Sequence, residues 1–74
     1  MIRARGDYDE VYSYCGMRYD RAVRDGASRT QALVMTLDDA QIRYRPSIEV
    51  RRALRHFEED VRKIWAANPE EVSA

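Results

Sequence analysis

The chain has 74 residues, 45% of them hydrophobic and 35% charged, with 13 Lys and Arg against 13 Asp and Glu. A net charge of zero argues against broad electrostatic attraction to nucleic acid or to a membrane surface. A single cysteine excludes a disulfide within the chain, and no apolar run approaches the roughly 18 residues that a membrane span needs.

Residues 1–6 read as a flexible arm or a short strand, with Ile2 and Ala4 alternating with Arg3 and Arg5. Asp7 is placed as a helix N-cap, with Glu10 at N3 to close a capping box. The first helix is predicted over 8–25. Tyr8, Val11, Tyr12, Cys15, Tyr19, Ala22 and Val23 share one face of it, about 100° wide. Gly16 lies at the edge of that stripe, and Gly26 is the residue that ends the helix.

Ser28 and Gln31 form a second capping box, and the second helix is predicted over 29–44. Thr30, Leu33, Val34, Leu37, Ala40, Gln41 and Tyr44 make its main stripe. Met35 and Ile42 lie on another flank, as expected of a helix sandwiched between two neighbours. A rival reading breaks this helix at Thr36, with Asp39 at N3 of a new turn; the single helix is preferred. Pro46 disfavours helical geometry at Arg45 and separates the second helix from the third.

Ser47 opens the third helix, predicted over 47–67. Val50, Leu54, Phe57, Val61, Ile64 and Trp65 form a clean stripe, while Arg51, Arg52, Arg55, His56, Glu59 and Lys63 take the opposite face. Arg55/Glu59, Glu58/Arg62 and Glu59/Lys63 are opposite charges at i,i+4. Asn68-Pro69 ends the helix, and 69–74 reads as a flexible acidic tail. The connections are short, which favours antiparallel neighbours. The expected fold is an all-α three-helix bundle in one domain. So small a core is marginal, so a homodimer or docking onto a larger protein is expected. The lone cysteine and the lack of an apolar leader stretch point to the cytoplasm. Twelve Arg against one Lys fits a GC-rich bacterium or its phage.

The residues offer little to catalysis. Cys15 and His56 are the one nucleophile–base pair available, but they fall on a core stripe and on a solvent face respectively. One Cys and one His cannot supply the roughly four ligands of a structural zinc site, so no metal or cofactor is expected. Asp38-Asp39 and Glu58-Glu59-Asp60 are helix neighbours whose side chains diverge by about 100°. Tyr14 lies off the first helix's stripe beside Met17, Arg18 and Arg21. Exposed Tyr, Met and Arg together are enriched at interfaces, so these four are the expected partner-binding surface, with Met35 and Ile42 as the competing patch.

The nucleic-acid candidates are arginines. Residues 41–56 hold Arg43, Arg45, Arg51, Arg52 and Arg55 against Glu49 alone, a local +4, bracketing one helix N-terminus. Residues 57–74 are locally acidic. Asp25-Gly26-Ala27-Ser28-Arg29-Thr30-Gln31-Ala32-Leu33 resembles the turn between the helices of ribbon-helix-helix DNA-binding proteins. That resemblance implies an N-terminal strand paired across a dimer, with Arg3 and Arg5 reading bases and Ser28 and Arg29 touching phosphate. The sequence therefore points first to a small non-enzymatic regulator or inhibitor that binds a protein. A dimeric DNA-binding regulator is the alternative, and an enzyme comes third.

Overall fold

The computed structural model describes residues 3–69. The chain folds as three helices, α1 (Tyr8–Arg24), α2 (Arg29–Arg43) and α3 (Ile48–Ala67), in a small all-α bundle with no strand among the described residues. None of the helices is long and apolar enough to cross a membrane. The acidic tail lies, from residue 70 on, outside the described residues.

The helix boundaries follow from capping chemistry. The Asp7 carboxylate accepts from the Glu10 N–H at 2.8 Å. Another N–H of that first turn, from Tyr8, donates not to a local side chain but to Glu49 of α3, at 3.2 Å. Gly26 takes φ 101°, the Ala27 N–H donates to the Ala22 carbonyl, and the Gly26 N–H donates to that of Val23, both at 3.0 Å. These are the paired bonds of a Schellman stop, which a residue with a Cβ adopts only under strain. Ser28 and Gln31 form the full reciprocal box at α2, and Ser47 caps α3 through the Val50 N–H. α2 runs unbroken through Thr36, whose hydroxyl is buried and donates to the Ala32 carbonyl at 2.7 Å.

The central element is α1, against which both other helices pack; α2 and α3 touch one another little. This corrects the expectation that α2 is the sandwiched helix. The buried side of α2 is Ala32, Leu33, Thr36 and Ala40 rather than the larger stripe through Thr30, Val34 and Gln41. Ala32, Thr36 and Ala40 repeat at i, i+4 and i+8, and small residues in such a row let two helices approach closely. Rotating α2 onto that row leaves Val34, Met35 and Ile42 facing solvent. Val23 on α1 and Ile64 on α3 are likewise exposed, at the edges of stripes whose centres are buried.

The core comprises Val11 and Cys15 from α1, Leu33 and Ala40 from α2, and Val50, Ala53, Phe57 and Val61 from α3, closed at one end by Tyr44. Three hydroxyl or ring contacts tie α1 to α3. The Tyr8 hydroxyl bonds His56 Nδ1 at 2.8 Å, the Tyr12 hydroxyl donates to Asp60, and Trp65 Nε1 donates to the Tyr19 hydroxyl at 3.1 Å. Both residue numbers rise together through these contacts, so α1 and α3 run parallel, with α2 antiparallel between them in sequence. His56 is therefore half-buried and engaged, not the solvated residue the sequence implied.

The N-terminal arm is tied at Ala4 to the end of α2 and the connection that follows it. The Ala4 N–H donates to the Arg43 carbonyl at 2.9 Å, and the Arg45 N–H donates to the Ala4 carbonyl at 2.8 Å. Gly6 lets this arm lie flat on the core, because a Cβ there would sit 2.6 Å from Tyr44 Cδ1 and 2.7 Å from Val11 Cγ2.

Candidate binding surface

The four residues expected to form a surface on α1 do not face one way. Tyr14 is half-buried and meets Tyr44 edge-on at 5.7 Å between ring centroids. The Arg43 guanidinium covers the Tyr14 ring at 4.9 Å. Tyr14 thus fills the seam between α1 and the end of α2, a packing role that the off-stripe position hid. Arg18 Nε donates to Asp39 at 2.5 Å and pins α1 to α2, a bond that holds the guanidinium in its charged form. Met17 is 72% exposed and lies on a different hollow, beside Ile64 and Trp65 of α3. Arg21 is exposed. Of the expected patch, then, Met17 and Arg21 are open, and Tyr14 and Arg18 are half-buried and engaged within the bundle.

The seven candidate arginines separate into three groups. Arg43 is stacked on Tyr14 and Tyr44. Arg5 and Arg45 share a hollow with Asp7, Glu10 and Glu49, so acidic neighbours offset their charge. Arg51, Arg52 and Arg55 surround exposed Ile48 on the first turns of α3. Arg51 and Arg55 also line the space between α3 and α2, together with Arg3 of the arm.

There the structure opens a groove of about 550 Å³ between α2 and α3. Leu37 and Ile42 of α2, Tyr44 and Pro46 of the connection, and Val50 and Leu54 of α3 supply its apolar lining. Ile42 is 63% exposed, and Leu37 and Leu54 are half-buried. Arg3, Arg51 and Arg55 line the same groove, with Gln41 and Glu58. Of the three i,i+4 ion pairs expected along α3, only Glu58–Arg62 forms, at 2.9 Å. Arg3, Arg51 and Arg55 have no ion-pair or hydrogen-bond partner among the described residues. Ile42 was legible in the sequence as a residue left over from the stripes. Leu37 and Leu54 were not, because both belong to stripes that a fully closed bundle would bury.

The reactive groups are held elsewhere. Cys15 is fully buried, and burial pushes its thiol up to about 11. The Asp60 carboxylate, with burial, pushes the Tyr12 hydroxyl up to about 12. His56 Nδ1 is engaged by Tyr8. Among the described residues no three His, Cys, Asp or Glu side chains gather as a metal site requires.

The turn that resembles ribbon-helix-helix proteins forms with its Gly stop and Ser cap, but among the described residues no strand forms of the kind that family pairs across a dimer. Ala4 directs its N–H and C=O to Arg43 and Arg45 of its own chain, so one edge of the arm is paired within the chain. No protein-family model, curated protein or solved structure matches this chain.

Proposed function

We propose that the chain is a small, non-enzymatic cytoplasmic protein that acts by binding a protein partner, as a stoichiometric regulator or inhibitor does. One observation carries the reading: apolar side chains that the bundle leaves partly or largely uncovered are contiguous around one groove, while the potentially reactive side chains are tied into the bundle. Scattered exposed apolar residues need no explanation, but a contiguous set rimmed by polar groups is characteristic of interaction sites. Ile42, Leu37 and Leu54 form such a set, with arginine alongside. Arginine is enriched at protein interfaces because its planar head accepts desolvation better than an ammonium does. Cys15 and His56, the pair that nucleophilic chemistry would call on, support the same reading: the first is buried in its unreactive thiol form and the second is engaged by Tyr8.

A second reading rests on Arg51, Arg52 and Arg55, exposed on the first turns of α3, where lysine and arginine side chains suit phosphate. A tagged full-length chain, used to capture partners from lysate of the source organism with and without nuclease, separates the two. Protein partners that persist after nuclease are expected. Recovery that vanishes with nuclease would replace this reading with the second.

A further inference from the structure

We propose that the groove between α2 and α3 docks an acidic amphipathic helix of the partner protein, its apolar side on Leu37, Ile42 and Leu54 and its carboxylates on Arg3, Arg51 and Arg55. The inference rests on the protein-binding reading and adds to it the surface and the chemistry of the ligand.

Shape and lining select a helix over nucleic acid. The groove is a concavity between two helices, whereas duplex DNA is read by an element that projects into its own groove. Single strands need exposed aromatic faces for base stacking, and the groove's one aromatic, Tyr44, is buried. Aliphatic residues on two flanking helices are instead what a third helix packs on, through anchors at i, i+3 or i+4 and i+7. Val50 to Glu58 spans about 12 Å at the helical rise, room for at least two turns of a docked helix.

Charge selects an acidic one. The three arginines among the groove's lining residues have no ion-pair or side-chain hydrogen-bond partner, and the one acidic residue there, Glu58, is already held by Arg62. Arg51 and Arg55 are like charges at i,i+4, and Arg51 sits in the first turn of α3, where the helix dipole also disfavours cations. The fold gains nothing from that placement, and an incoming carboxylate reverses both penalties. Arg3 adds preorganisation: its side chain leaves a backbone fixed by both hydrogen bonds of Ala4, so little freedom is lost when it is engaged.

The test is peptide selection by the intact chain from a random displayed library of about 16-residue peptides, long enough to form helix on a surface. The enriched sequences should carry apolar residues at helical spacing with at least two Asp or Glu beside them, and a synthetic copy of the leading sequence should gain helix on binding. Arg51→Glu with Arg55→Glu, both exposed, should melt like the wild type. This variant should bind that peptide at least about tenfold more weakly and select Lys- and Arg-bearing sequences in its own round. Enriched sequences lacking acids, or unchanged binding by the double variant, overturn the groove and leave a protein-binding role to another face. A wild-type chain that is dimeric in solution, with the double variant monomeric, assigns the groove to a second copy and also overturns it. No enrichment overturns the inference alone where nuclease-resistant partners are captured from lysate; with none captured, the protein-binding reading falls as well.

Discussion

α3 meets its two neighbours in opposite ways. Toward α1 it presents His56, Asp60 and Trp65, each engaging a tyrosine hydroxyl, with Phe57 edge-on to the Tyr12 and Tyr19 rings between them. Toward α2 it presents Leu54 between Arg51 and Arg55, and neither arginine finds a partner. Along these contacts the first seam closes because each polar group brought out of water is bonded there, and toward its C-terminal end it leaves the hollow that Met17 shares with Ile64 and Trp65. The second stays open because closing it over unpaired guanidiniums would cost several kcal/mol per charge.

Phe57 and Leu54, three residues apart on α3, measure that contrast with the largest effect. Phe57 is buried among tyrosine rings, so Phe57→Ala should cost about 3–5 kcal/mol in denaturant unfolding, enough to threaten a domain of this size. Leu54 is half-buried at the open seam, so Leu54→Ala should cost about 1–2 kcal/mol, in proportion to the area it loses. Equal costs would mean that the α2–α3 seam is as closed as the other.

Gly6 tests whether the arm belongs to the closed region. Gly6→Ala drives a Cβ against the Tyr44 ring and Val11, and overpacking of this kind costs about 1–3 kcal/mol. The arm should lift, so amide exchange at Ala4 and Arg45 should accelerate in the variant. Unchanged exchange would show that Tyr44 yields instead of the arm.

The closed region was largely readable in the chain, and the open one was not. Caps at Asp7, Ser28 and Ser47 and the stop at Gly26 act within a few residues, so local chemistry announced all three helices to within a residue or so. Tyr8, Tyr12 and Tyr19 sat on a stripe, and their hydroxyls met partners as buried phenols must. The facing of α2 was missed because hydrophobicity favoured Val34 while helix approach favoured the smaller Ala32, Thr36 and Ala40. Tyr14 was misread for a related reason. A residue off one helix's stripe can still be covered by the chain end of another, here Tyr44 and Arg43. The groove depends on how far two helices stand apart, which no single helix's pattern encodes.

Alkaline titration probes the closed region more gently. Cys15 is raised from 9.0 to about 11 by burial, and Tyr12 from 10.0 to about 12, chiefly by its bond to Asp60. In both cases the folded state holds the proton more tightly than the unfolded chain does. The stabilisation is therefore complete below the unfolded values and is lost as pH rises through the folded ones. Unfolding midpoints should decline from about pH 9, with Tyr12 adding to the decline between about 10 and 12. Cys15→Ala should flatten the early part and Tyr12→Phe the later part, each measured against its own value at pH 7. A flat wild-type profile would mean that neither group is held as the fold implies.

The smallest expected effect bears on the open side. Exposed arginines with no partner contribute nothing to folding through contacts, so removing them should be nearly silent. Electrostatics gives the residual effect a sign. Arg51 and Arg55 repel each other across one helical turn, and Arg51 lies in the first turns of α3, where the dipole favours anions. Arg51→Ala with Arg55→Ala should therefore leave stability within about 0.5 kcal/mol of wild type and on the stabilising side. The gain should shrink as salt is raised from about 10 mM to 1 M, because screening weakens the repulsion in the wild type first. Thermal melts at the two salt concentrations read both the sign and its dependence. A loss above about 1 kcal/mol would mean that these side chains pack across the groove through their aliphatic stems. The groove would then be part of the fold, not a surface held open beside it.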